Sequence, residues 1–153
     1  MSCESLDTAA VQGRVVLAGW GLEGSLARGP LWYLRAARAA GRVPGEGIVV
    51  AAHTASAAEA WAWAARIENV PTLLVVPPLP ARTLQALAGG PVRGQVETTG
   101  DLDAACEAFA SAGMVARPDP LDPLLAAGAG TWVLAVHSLI RELSTVLIPA
   151  GPW

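Results

Sequence analysis

A chain of 153 residues with a formal net charge of −3 is one domain long, has enough residues for a continuous core, and lacks the basic excess that nucleic acid requires. All ten basic residues are arginine, so no side-chain amine can form a Schiff base; lysine-tethered pyridoxal phosphate, lysine-dependent aldolase chemistry and a P-loop are excluded. Charged residues make up only 15%, against about 25% in an ordinary soluble domain, which predicts a surface partly covered in a homo-oligomer or by a protein partner. The alternative is that abundant alanine raises the apolar fraction without making a sticky surface.

Residues 1–12 read as a polar N-terminal arm holding Cys3, Glu4 and Asp7; no secretory leader is expected, and the default location is cytoplasmic. Three apolar runs then follow at Arg14–Ala18, Gly47–Ala52 and Thr72–Val76, each trailed by a helix-like stretch. Short, nearly unbroken apolar strands alternating with helices predict a parallel sheet covered on both faces. After the first run comes a glycine-rich stretch, Gly19–Gly29, with Pro30 suited to open a helix that ends near Gly41. After the second, Ser56-Ala-Ala-Glu59 reads as a capping box for a helix reaching Glu68 that carries Trp61 and Trp63.

After the third run, Pro77–Pro80 breaks the strand, Pro80 opens a helix, and Gly89-Gly90 stops it. Val92–Thr98 alternates apolar and polar residues, as expected of a strand near a sheet edge. Asp101 is placed to cap a helix reaching Ala112, with Cys106 as a small core residue, and 114–116 predicts a short further strand. Asp122-Pro123 opens a short helix. Thr131 then caps a last, amphipathic one, with Val133, Val136, Ile140, Leu143 and Leu147 on one side and His137, Arg141 and Glu142 on the other. Those polar residues argue against a membrane span.

The expected fold is α/β: a single three-layer Rossmann-like or flavodoxin-like domain, with a mainly parallel sheet of four to five strands and extra C-terminal helices. The divisions read as a polar arm over 1–12, the α/β domain over 13–130, and a C-terminal amphipathic helix and tail over 131–153 packed on that domain.

Ligands of open parallel sheets bind beyond the carboxyl ends of the strands, where strand order reverses. If 14–18 lies between 47–52 and 72–76, the crevice falls between 14–18 and 72–76, under the 19–29 and 77–80 loops. The candidate binding residues there are Gly19, Trp20, Gly21, Gly24, Ser25 and Arg28. Gly19, Gly21 and Gly24 form G-x-G-x-x-G, which over six residues resembles the dinucleotide-binding Rossmann fingerprint and implies loop amides and a helix N-terminus aimed at a pyrophosphate. Glu23, the late Pro30, and His53-Thr54 in place of a ribose-binding acid depart from that pattern. A looser nucleotide or anion site using Arg28, or a plain glycine-rich connection, fits the same residues.

His53 directly follows an apolar strand and precedes a helix. The segment Gly47–Ala60 resembles the strand–histidine–helix unit of mannose-type phosphotransferase domains, which implies a phosphoryl-accepting His53. The plainer reading is a histidine bonded to a nearby carbonyl. Asp101 and Asp103 could hold Mg²⁺ or serve as acid and base, but their spacing at a helix start reads first as capping. Cys3 and Cys106 stand apart with no histidine cluster, so no zinc or other metal site is expected. The sequence therefore predicts a small-molecule or nucleotide-binding α/β domain, a regulatory module being one form of it. Its alternatives are an assembly subunit that uses its low-charge surface and C-terminal helix, and a small enzyme that uses His53 with Asp101 or Asp103.

Overall fold

A computed structural model of the chain describes residues 3–6, 15–18, 25–112 and 117–140. In chain order the elements are β1 (Cys3–Leu6), β2 (Val15–Ala18), α1 (Ser25–Ala39), β3 (Ile48–Ala51), α2 (Ala55–Glu68), β4 (Thr72–Val76), α3 (Ala81–Leu87), β5 (Val92–Glu97), α4 (Leu102–Ser111) and α5 (Pro123–Leu139). The fold is α/β and Rossmann-like, built on a parallel sheet ordered β3-β4-β5. Side chains alternate across that sheet. Ile48 and Val50 of β3, with Leu74 and Val76 of β4, pack against Leu34 and Ala37 of α1 and Trp61, Ala64 and Ala65 of α2. Val49 and Val75 face the other way, onto Cys106 of α4. Helices on both faces explain why β3 and β4 carry almost no polar residue.

Two strand expectations are corrected. The 14–18 run does not enter the parallel sheet. As β2 it pairs antiparallel with β1, Cys3 opposite Ala18 and Leu6 opposite Val15, and β3 lies directly beside β4. A strand thus lies within the 1–12 arm, where Glu4 and Ser5 mask it in the sequence. Pairing two segments so near in the chain closes a short loop and costs less chain entropy than a crossover. The parallel sheet of the described residues has three strands rather than four or five; the 114–116 strand lies outside the described residues. Among the described residues β5 is an edge strand, as expected, parallel to β4.

The helix starts shift for local reasons. Thr54, not Ser56, caps α2: its backbone is extended (φ −134°, ψ 157°) and its hydroxyl accepts the Ala57 N–H at 3.1 Å. A β-branched residue just beyond the strand end suits that conformation, so the helix begins before the Ser56–Glu59 box. Asp101 caps α4, accepting from the Asp103 and Ala104 N–H groups at 2.9 and 3.2 Å, and Asp122 caps α5 with Pro123 behind it. Pro80 is the residue before α3 rather than its first. At the end of α1, Arg42 N–H bonds the Ala37 carbonyl and Gly41 N–H bonds the Arg38 carbonyl. This Schellman turn needs a left-handed residue, which Gly41 supplies at φ 66°.

Pro30 lies inside α1 rather than at its start. α5 also runs unbroken through Gly128-Ala-Gly130, so Thr131 is mid-helix and does not cap a separate final helix. One contact accounts for both. A Cβ on Gly128 would lie 2.5 Å from the Arg28 carbonyl oxygen and 2.9 Å from the Gly29 Cα, and one on Gly29 would lie 3.0 Å from the Leu125 carbonyl oxygen. The two backbones touch, and the packing gained offsets the hydrogen bond that Pro30 cannot donate. Thr131 bonds back to the Gly128 carbonyl at 2.7 Å. No helix among the described residues is long and apolar enough to cross a membrane.

Candidate functional site

β3 ends at Ala51, and the next two residues carry the chain out of the sheet before Thr54 starts α2. His53 therefore projects at the carboxyl rim, its side chain 44% exposed. Asp103 sits in the first turn of α4, where its carboxylate complements the helix dipole. Arg117 begins the segment that leads, through Pro118 and Pro120, into α5. These three side chains come from separate parts of the chain and meet. His53 Nε2 lies 3.3 Å from Asp103 Oδ2, Arg117 Nη2 binds Asp103 Oδ1, and Arg117 Nη1 binds Glu107 Oε2 at 3.2 Å. Asp103 is the shared member, one oxygen turned to each neighbour.

They line the mouth of a cavity of about 340 Å³. Its walls are otherwise apolar: Val50 and Ala51 from β3, Pro30 from α1, Trp61 from α2, Leu125 from α5, and Pro118 and Pro120 above. The indole of Trp61 is fixed by an edge-to-face contact with Tyr33, ring centres 6.0 Å apart. Burial pulls the Arg117 pKa down, but the hydrogen bond to Glu107 and the charges of Asp103 and Glu107 outweigh it, so the pKa is raised and the guanidinium stays charged. Beneath the mouth Cys106 is fully buried, and loss of solvent pushes its thiol up to about 11. It is a core residue, not a nucleophile.

The expected crevice between 14–18 and 72–76 is corrected, because those strands lie in different sheets. The cavity instead stands over the end of β3, between α1, α2, α4 and α5. Gly19, Trp20, Gly21 and Gly24 lie outside the described residues. Ser25 is the first residue of α1. Arg28 directs Nη1 at Thr131, 3.2 Å from the carbonyl oxygen and 3.3 Å from the hydroxyl, and so ties α1 to α5. His53 and Asp103 are brought together; Asp101 is occupied as the α4 cap. Sequence reading missed Arg117. Its one signal is a cation opening Arg-Pro-Asp-Pro-Leu-Asp-Pro, a segment stiff enough to hold a charge in place. No group of three potential metal ligands occurs among the described residues.

No protein-family model matches the chain, and no curated protein matches it. Solved structures do. A pyridoxal 5′-phosphate-dependent aspartate racemase is similar over 80% of this chain with a TM-score of 0.65 and 24% identity. Maize serine racemase is similar over 79% (TM-score 0.62, 18% identity) and a threonine deaminase from T.th. over 76% (TM-score 0.53, 24% identity). The match spans 37% of each of those chains. At this identity the likeness is one of fold, and it agrees with the α/β, Rossmann-like architecture described above.

Proposed function

We propose that this chain is a small-molecule-binding α/β domain whose ligand occupies the cavity over the end of β3. The observation that carries the reading is the convergence of His53, Asp103 and Arg117 on one mouth of an otherwise apolar cavity of about 340 Å³. A few polar groups aimed into an apolar hollow at the strand ends of a parallel sheet is the usual construction of a ligand site. A carboxylate beside a guanidinium suits a small molecule with both a donor and an acceptor over an apolar body. Nucleotides fit less well. Asp103 and Glu107 already set two carboxylates against the Arg117 guanidinium, which opposes a multiply charged phosphate.

Three of the fold neighbours are named for acting on aspartate, serine and threonine, and one of them for its pyridoxal 5′-phosphate. Small amino acids therefore belong in any ligand panel. The residues of this chain do not fit the coenzyme, since an imine needs a lysine amine and all ten basic residues are arginine. No step through it is derived.

Thermal-shift measurement with a panel of amino acids, short oxo- and hydroxy-acids, and nucleotides tests the reading. A ligand at about 100 times its Kd adds about 2.7 kcal/mol to stability and raises the Tm. That rise is expected to shrink in Arg117→Gln. A panel in which no compound raises the Tm, or equal rises in the variant, contradicts the proposal.

A further inference from the structure

We infer that His53 is a proton-transfer residue, acting on a small carbonyl compound with an acidic C–H held in this cavity. The inference rests on the ligand-binding reading and adds chemistry to it. His53 has the surroundings that a general base needs. Its ring lines the cavity, and its Nε2 faces Asp103 Oδ2 at 3.3 Å. Asp103 is itself held by Arg117 on its other oxygen. A carboxylate beside Nε2 favours the tautomer with the proton there and leaves the Nδ1 lone pair as the basic site. No described residue hydrogen-bonds Nδ1. Arg117 lines the same mouth, and its guanidinium N–H groups not engaged by Asp103 and Glu107 are the donors for a carbonyl oxygen on which charge grows.

The step balances within the ligand and His53. The Nδ1 lone pair takes the proton from the carbon next to the carbonyl. The C–H electron pair forms the C=C bond, and the carbonyl π pair moves onto oxygen beside Arg117. The imidazolium of the half-exposed His53 exchanges that proton with solvent and returns a solvent-derived one to carbon, which restores both partners with no oxidant or reductant and no co-reactant besides water. Asp103 touches the base rather than the substrate and is a positioning residue.

The experiment is proton NMR in D₂O with pyruvate, 2-oxobutyrate and dihydroxyacetone as probes, binding being followed separately by saturation transfer. The protein is expected to exchange the α-hydrogens of at least one probe for deuterium more than about tenfold faster than buffer. His53→Gln should return the rate to that of buffer. His53 is half exposed and outside the core, so this variant should keep its far-ultraviolet circular dichroism. Asp103→Asn should lose most of that enhancement, and Asp103→Glu should recover part of it. The ¹⁵N shifts of the His53 ring should report the Nε2–H tautomer in the parent and a mixture in Asp103→Asn, which a purely structural Asp103 would not produce. Exchange at the buffer rate with all three probes, or full exchange in His53→Gln, overturns the inference. Binding without exchange overturns it and leaves the ligand-binding reading standing.

Discussion

Asp103 has a neighbour at each oxygen, and that decides what its loss does. Its two oxygens face His53 and Arg117, and Arg117 is held further by Glu107. All four side chains retain water contact, so the cluster adds little to stability, about 0–1 kcal/mol per pair. Asp103→Asn removes two such pairs and should therefore lower the Tm by at most a few degrees, about 2–4 °C per kcal/mol lost, while weakening the ligand-dependent rise; a much larger loss of Tm in the free protein would instead show a structural ion pair. Cys106 is the opposite case, buried and removed from chemistry. In the folded protein it should resist iodoacetamide at about pH 8 and become labelled only in denaturant, a result that peptide mapping resolves from Cys3. Its raised pKa gives the pH dependence a sign. The folded state holds the thiol proton more tightly, so this contribution to stability is complete below the ordinary thiol range and is lost as pH rises towards about 11. Between about pH 8.5 and 11 the parent should lose more Tm than Cys106→Ala. At this scale the sequence disclosed His53 and offered Asp101 or Asp103 as its partner, but not which of the two meets it. His53 stands out after a strand, whereas Arg117 becomes relevant only when the chain folds α4 and the 117–120 segment over the same strand end.

Among the elements, the contact of α1 with α5 depends on glycine at its closest point. Gly128→Ala drives a methyl into the α1 backbone and should cost about 1–3 kcal/mol through overpacking. Gly130→Ala is its control: nothing lies within 4 Å of a Cβ there, so helix propensity alone should stabilise by about 0.5–1 kcal/mol. Chemical denaturation of the two variants checks the opposite signs. Thr54→Ala should cost about 0.5–2 kcal/mol by removing the hydroxyl that receives the Ala57 N–H. Ser56→Ala should cost far less, which separates the observed cap from the one the sequence suggests. The caps at Asp101 and Asp122 were legible because a cap and its helix are neighbours in sequence. The unbroken α5 was not, because Gly128, which reads as part of a helix end, is kept there by a contact with a segment far earlier in the chain.

For the whole molecule, the layered α/β form was readable from three apolar runs, since burial on both faces leaves its mark directly on composition. Strand order was not. Whether 14–18 joins the central sheet or folds back on 3–6 depends on the energies of competing pairings, and both present the same Val-Val-Leu-Ala to the reader. That ambiguity led the sequence to a crevice that the sheet does not form. The cavity proposed as the binding site stands over the carboxyl end of β3, a strand of the parallel sheet.

The central claim is that this rim, with its apolar hollow, is where the chain meets its ligand. Amide chemical-shift mapping tests it most directly: the ¹H–¹⁵N spectrum is titrated with the compound that gives the largest thermal shift, in the parent and in Arg117→Gln. The account predicts saturable shifts concentrated at 51–54, 103–107 and 117–126, weakened at least about tenfold in apparent affinity in the variant. Shifts centred on α3 and β5, or of undiminished affinity in Arg117→Gln, would place the ligand elsewhere and contradict it.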